Sequence, residues 1–189
     1  MKNIFIILFT FLSAFGVAQS NTVVISEVYG GGGDINATYK NDYIQLFNLS
    51  STPVALDQYS IQVAQAGDKD WKVINLTGIL QPSHWYLLKG ESDGASGKEL
   101  PLADATVSFD LNTQSGKIAL VKSEKALTTS CLPFNEIVVD LLGYGITDCA
   151  ETSTAPAHNS ISATSRFIFT SDADNNASDF AVFPPNPRN

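Results

Sequence analysis

Asp172, Asp174 and Asn176 alternate in SDADNNASDF (171–180), with Asp179 three residues further on. Alternating oxygen side chains are how a calcium loop begins, because the ion takes about six to eight oxygen ligands. An EF-hand loop also needs glycine at its sixth position and a bidentate glutamate at its twelfth. Counted from Asp172, those positions hold Ala177 and Phe183. What is left, Asp172, Asp174, Asn176 and Asp179, is a candidate for a weak, partly hydrated calcium site. The same side chains bond their own backbone and build turns without any metal. The turn is the reading preferred over the ion, and no other cofactor is expected.

The remaining patterns carry less chemistry. A glycine-rich loop cradles phosphate when it runs from a strand into a helix N-terminus. GGGGD (30–34) instead leads through INATYKN towards another strand, so a mobile hairpin connection is expected. GASGK (94–98) lacks the earlier glycine of a P-loop and has Glu99 where Ser or Thr would hold magnesium. Gly90, Ser92 and Gly94 satisfy G-x-S-x-G, but a nucleophile elbow needs a following helix, and a Gly- and Ser-rich loop follows instead. His158, the candidate base for such a serine, sits in the polar stretch APAHNS, and His84 reads as a turn residue. Asp140, Asp148 and Glu151 are close in the chain without a visible scaffold to bring them together. No residue is assigned a catalytic role, and the chain is read as a non-enzyme.

The elements that position these residues are strands. Short β-branched and aromatic runs recur at 22–29, 42–49, 52–57, 59–65, 71–76, 84–89, 105–111, 117–123, 137–144 and 165–170, punctuated by Gly, Pro, Asn, Asp and Ser. Period-two alternation with frequent turn signals points to an all-β sandwich or barrel. No segment has the apolar stripe of a three-turn helix. Trp71, Trp85 and the aromatics of DYIQLF and RFIF fall at strand spacing, as core residues do.

MKNIFIILFTFLSAFGVAQS has the charged start, apolar run and small residues of a secretory signal peptide. Cleavage is expected after Ala18, leaving residues 19–189 as one domain without a membrane span, secreted to an extracellular or periplasmic space. A lone pair of cysteines in an oxidising compartment reads as one disulfide, Cys131 to Cys149. The chain carries −8, and losing Lys2 with the signal makes it more acidic. Phosphate backbones need clustered Lys and Arg, so nucleic acid is not the expected partner. N-x-[ST] sequons stand at Asn36, Asn48, Asn75 and Asn176.

An ordered series of blocks carries a family likeness: VVISEVYGGGGD (23–34), YKNDYIQLFNLSSTPVALDQYSIQVA (39–64), ILQPSHWYLL (79–88), GKIALV (116–121), VVDLLGYG (138–145), and DADNNASDF with PNPRN. Through these the chain resembles the lamin tail domain family in its bacterial, secreted form. Gln45 stands where relatives carry glutamate in "DYIEL". The resemblance implies an immunoglobulin-like β-sandwich and a non-enzymatic module that binds a protein or glycan at the cell surface or matrix. An accessory role beside secreted nucleases or phosphodiesterases, or weak DNA association, is the competing implication.

Overall fold

The computed structural model describes residues 22–131, 137–167 and 172–189. The expected signal peptide and its expected cleavage after Ala18 lie outside these residues. Twelve strands form among them: β1 (Val23–Tyr29), β2 (Tyr43–Asn48), β3 (Val54–Ala55), β4 (Ser60–Ala64), β5 (Lys72–Asn75), β6 (Ile79–Leu80), β7 (Trp85–Lys89), β8 (Ala105–Thr106), β9 (Ser115–Val121), β10 (Val138–Gly145), β11 (Ala163–Arg166) and β12 (Phe180–Phe183). A single helical turn, α1 (Asn176–Asp179), precedes β12.

One sheet runs β12-β11-β1-β2-β7-β8 and faces a second of order β10-β9-β4-β5, with a small β3-β6 ribbon beside them. Every pairing between these strands is antiparallel except β7 with β8. The core between the sheets is built from alternate residues such as Val23, Ile25, Ile44, Leu46, Ile61, Leu88, Ile118, Leu120 and Leu142. Each such side chain contributes roughly 1.5–3 kcal/mol on burial.

A register shift in β1 between Ile25 and Glu27 changes which side chains turn outward. Below it, Glu27 and Tyr29 join Tyr43, Gln45 and Leu87 on the outer face of the large sheet. Rows there follow the register Ser165–Glu27–Gln45–Leu87. That outer face is buried as well: Tyr29, Tyr39 and Tyr43 cluster with Leu87 and Ala163.

The expected strand pattern holds in the long elements and is corrected at the short ones. The run at 105–111 narrows to Ala105–Thr106, because Asp42 takes the Leu111 amide into a loop contact. The strand expected at 165–170 is placed at Ala163–Arg166, and residues 168–170 lie outside the described region. β6 and β12 were not expected from the pattern.

Candidate functional site

Arg166, on β11, is a buried cation surrounded by carboxylates. Its Nη2 bonds both oxygens of Asp140 on β10, at 3.0 and 3.1 Å, and its Nη1 bonds Asp172 at 3.0 Å and approaches Asp179 at 3.4 Å. Nε donates to the Ile25 carbonyl at 3.1 Å, and the Phe180 ring lies 4.5 Å from the guanidinium carbon. Asp140 in turn accepts the Ile25 amide. Both backbone groups of Ile25, freed at the register shift, are thus satisfied by an ion pair that spans the two sheets.

Asn176 performs the matching task at the edge of β10. Its Nδ2 donates to the Leu141 carbonyl at 2.8 Å and to Glu151 Oε2 at 2.9 Å. Its Oδ1 accepts the amides of Gly143 at 2.8 Å and Glu151 at 3.2 Å. Glu151 Oε1 accepts the Leu141 amide. Two side chains therefore supply the hydrogen bonds that a further strand would make, which is one way to protect a sheet edge.

These contacts place each of the four expected calcium ligands. Asp172 faces Arg166, Asn176 is spent on β10, and Asp179 accepts the amides of Ala173 and Asn175. Asp174 stands at φ +50°, with its amide donating to Asp172 and its carbonyl accepting from Thr152. Asn175 caps α1 by accepting the Ala177 amide. Asp172 Oδ1, Asn176 Oδ1 and both Asp179 oxygens are thus aimed at N–H donors, the bonding that builds Asx-rich turns.

A different acidic set, Asp140, Glu151 and Asp172, brings ligand oxygens within 4.8 Å of one another. Arg166 supplies positive charge to two of them. Burial pushes Asp140 and Glu151 upward, and neighbouring carboxylates add to it, while Arg166 opposes both shifts. Burial alone would lower Arg166, but Asp140, Asp172 and Asp179 outweigh it and hold its pKa up.

The second candidate is the glycine loop. It is buried and pinned, not an open hairpin connection. Gly32 N–H donates to Asp42 Oδ1 at 2.8 Å, and Gly30 N–H donates to His158 Nε2 at 3.0 Å. A Cβ on Gly31 would lie 2.5 Å from Ser160 Cα, and one on Gly32 would lie 2.2 Å from Asn41 C. Close backbone approach is why glycine is needed there.

Because His158 Nε2 accepts from Gly30, its proton sits on Nδ1, which donates to Thr164 Oγ1 at 3.0 Å. Burial pushes this imidazole down to about 4. Asp42 is pushed up to about 8, first by burial and then by Asp110 and Asp93, against the hydrogen bonds from Leu111 and Gly32. Beside the loop is a cavity of about 240 Å³ lined by Gly30, Asp34, Gln65, Asp93, Asp110 and Asn112. Asp93 is raised by burial and by Asp110, Asp34 and Glu91, so these acids feel one another. Ile35 and Ile161 project from neighbouring turns at 85% and 60% exposure. The turns are joined by Thr38 N–H to the Ser160 carbonyl and by Ser160 Oγ to the Ile35 carbonyl.

Other sequence candidates separate. Ser92 donates its hydroxyl to Gly94 O, while His158 is held by Gly30 and Thr164, so no serine–histidine pair forms. His84 bonds Pro82 O within its turn. Asp148 pairs with buried Lys117 at 2.8 Å, away from Asp140 and Glu151. Burial works to raise Asp148, but the bonds from Lys117 and Gly67 outweigh it and hold it low. The Cys131–Cys149 disulfide forms. Asn48 and Asn176 are fully buried, whereas Asn36 and Asn75 are exposed. Trp71 is a core residue, but Trp85 is only half-buried, between Phe47 and Arg188. Sequence reasoning missed Arg166 as the centre of the network.

Residues 17–132 match the family model described as Lamin Tail Domain. The match ends before β10, and β10, β11 and β12 complete the same two sheets. No curated protein matches the chain.

Proposed function

The chain belongs to the lamin tail domain family, and from that premise we propose that it is an exported binding module whose partner docks at the glycine-loop end of the sandwich. The family is an immunoglobulin-like, non-catalytic one, which supports a binding or structural role. The observation that carries the proposal is the pinned loop end. Buried bonds from the Gly32 and Gly30 amides to Asp42 and His158 fix the backbone, and Ile35 and Ile161 are held out beside an acidic, polar cavity. Apolar side chains displayed on a rigid frame, next to polar groups, suit recognition of a protein or glycan. The disulfide and the expected signal peptide support export to the cell surface or matrix.

The test compares the wild-type chain with an Ile35→Glu/Ile161→Glu double variant. Retention of each is measured on cell-envelope material treated with protease, with periodate, or left untreated. Retention should fall at least tenfold in the double variant, on the order of 1.4 kcal/mol. The treatment that abolishes wild-type binding identifies protein or glycan as the partner. Equal retention of the two chains overturns the site.

The accessory-nuclease alternative is tested with bis-p-nitrophenyl phosphate and plasmid DNA in calcium, magnesium or manganese. Turnover abolished by EDTA and by Asp172→Asn with Asp174→Asn would replace the binding reading with an enzymatic one. DNA retardation at low salt, where electrostatic binding is strongest, would reinstate nucleic acid as a partner.

A further inference from the structure

Residues PPNPRN (184–189) cross the outer face of the large sheet from β1 to β7. Pro185 and Pro187 have no N–H to satisfy. The amides between and after them are both used: Asn186 N–H donates to Glu27 Oε1 at 2.7 Å, and Arg188 N–H donates to Gln45 Oε1. Glu27 and Gln45 are register partners on adjacent strands, so two residues of extended chain step from one acceptor to the next. Pro187 is buried. The Arg188 guanidinium lies over the Trp85 ring, 4.6 Å from its centroid, and Asn189 Nδ2 donates to the Leu102 carbonyl.

The acceptors are held in place by the sheet and not by the tail. Glu27 takes hydrogen bonds from the Tyr43 hydroxyl and from Ser165 Oγ, and the Gln45 amide is anchored through Nε2 to Ser26 Oγ. Trp85 is packed against Phe47. Two fixed acceptors at strand spacing followed by an aromatic face form a preorganised row that reads alternate backbone amides and then a cation.

We infer that Glu27, Gln45 and Trp85 form a recognition site for an extended Pro-x-Pro-Arg segment of a partner polypeptide, which the chain's own residues 185–188 fill in cis. The tail itself shows the chemistry: proline where no amide can be accepted, a free amide at each acceptor, and arginine over the indole. A tethered tail is present at an effective concentration on the order of millimolar. The intact chain therefore occupies its own site, and a partner gains entry when the tail is lifted or cut.

The experiment places a protease site between Phe183 and Pro184 of the full chain, so that the protein folds before cleavage. After cutting and dialysis, binding of a fluorescein-labelled PPNPRN peptide is followed by anisotropy. The labelled peptide should bind the cut chain saturably and leave the uncut chain unlabelled. Its Arg188→Ala version should bind at least about fivefold more weakly, the loss of one cation–π contact. Hydrogen exchange on the uncut chain gives a second measurement that does not depend on how the cut protein behaves. The Asn186 and Arg188 amides should be protected, and Gln45→Ala should release Arg188. A cut chain that retains its near-UV signal and ignores the peptide overturns the site. So does equal binding of the Arg188→Ala peptide, or exchange of both amides at free-peptide rates. If the cut chain instead pairs into dimers that the peptide cannot dissociate, tail exchange between copies replaces a partner segment as the occupant.

Discussion

Replacing Arg166 with Met removes the guanidinium that touches Asp140, Asp172 and Asp179 while keeping most of the side-chain volume. Arg166 and Asp140 are fully buried, so water cannot take over the lost contacts. Breaking a buried pair from one side costs about 3–5 kcal/mol, because the partner charge is stranded. The Ile25 carbonyl loses its donor as well. A loss of about 4 kcal/mol is a large part of a stability of roughly 5–15 kcal/mol. For a chain of this size it lowers Tm by about 12 °C. The pH dependence carries the sign. Burial already raises Asp140, and Arg166 opposes that rise. Without Arg166, the folded-state pKa climbs further above its unfolded value. A group raised in the folded state contributes stability that is present at low pH and lost as pH rises through its folded pKa. The deficit of Arg166→Met should therefore be largest near pH 8 and shrink towards pH 5. Urea melts of wild type and variant at the two pH values measure it, with Lys40→Met, which breaks only an exposed pair, as the control. A deficit under 1 kcal/mol at pH 8, or one that does not change with pH, would refute the account of Arg166 as the keystone of the seam.

Asn176→Asp keeps the acceptor for Gly143 and Glu151 but turns two donors, to Leu141 O and Glu151, into an acceptor. It should cost at least about 2 kcal/mol in urea unfolding; a neutral result would show that the edge of β10 does not depend on this amide. Millimolar calcium should leave the wild-type Tm unchanged, since a ligand selective for the folded state raises Tm by mass action; a clear upward shift would reinstate the ion at Asp172, Asp174, Asn176 and Asp179. His158 is depressed to about 4 from 6.5, so its neutral form contributes stability that is present above pH 6.5 and lost as pH falls to 4. That amounts to about 3 kcal/mol at roughly 1.4 kcal/mol per unit. His158→Gln should flatten this part of the acid limb, and an unchanged limb counts against it. Reducing the disulfide, with its separation of 18 residues, should cost about 3 kcal/mol; melts of Cys131→Ser/Cys149→Ser that match the parent would remove the bridge from the account.

The long strands were legible because each buries one or both faces, and burial at period two leaves a mark in Val, Ile and aromatic residues. Two-residue strands such as β6 and β8 have no period to read. Only their partners, β3 and β7, fix them as strands. β12 was concealed for another reason. FAVF follows directly on a turn rich in Asp and Asn and runs into Pro184, so its four residues look like the tail of a polar loop.

The site was half legible, and the missing half had a physical cause. The carboxylates of DADNN stand together in the chain and invite a cation. The cation that meets them comes from a neighbouring strand, whose Arg166 reads as one polar residue in an aromatic run. Asp140 lies 26 residues from Arg166, and Ile25 lies 141 residues away. A buried guanidinium needs several fixed acceptors at once, and only the closed sandwich brings β1, β10 and β11 into contact to supply them. The same reasoning corrects GGGGD. Four glycines without serine or charge resemble a slack connection, yet here each is a place where two backbones touch. Local composition marks where side chains are missing, and the rest of the fold determines whether that space is solvent or another strand.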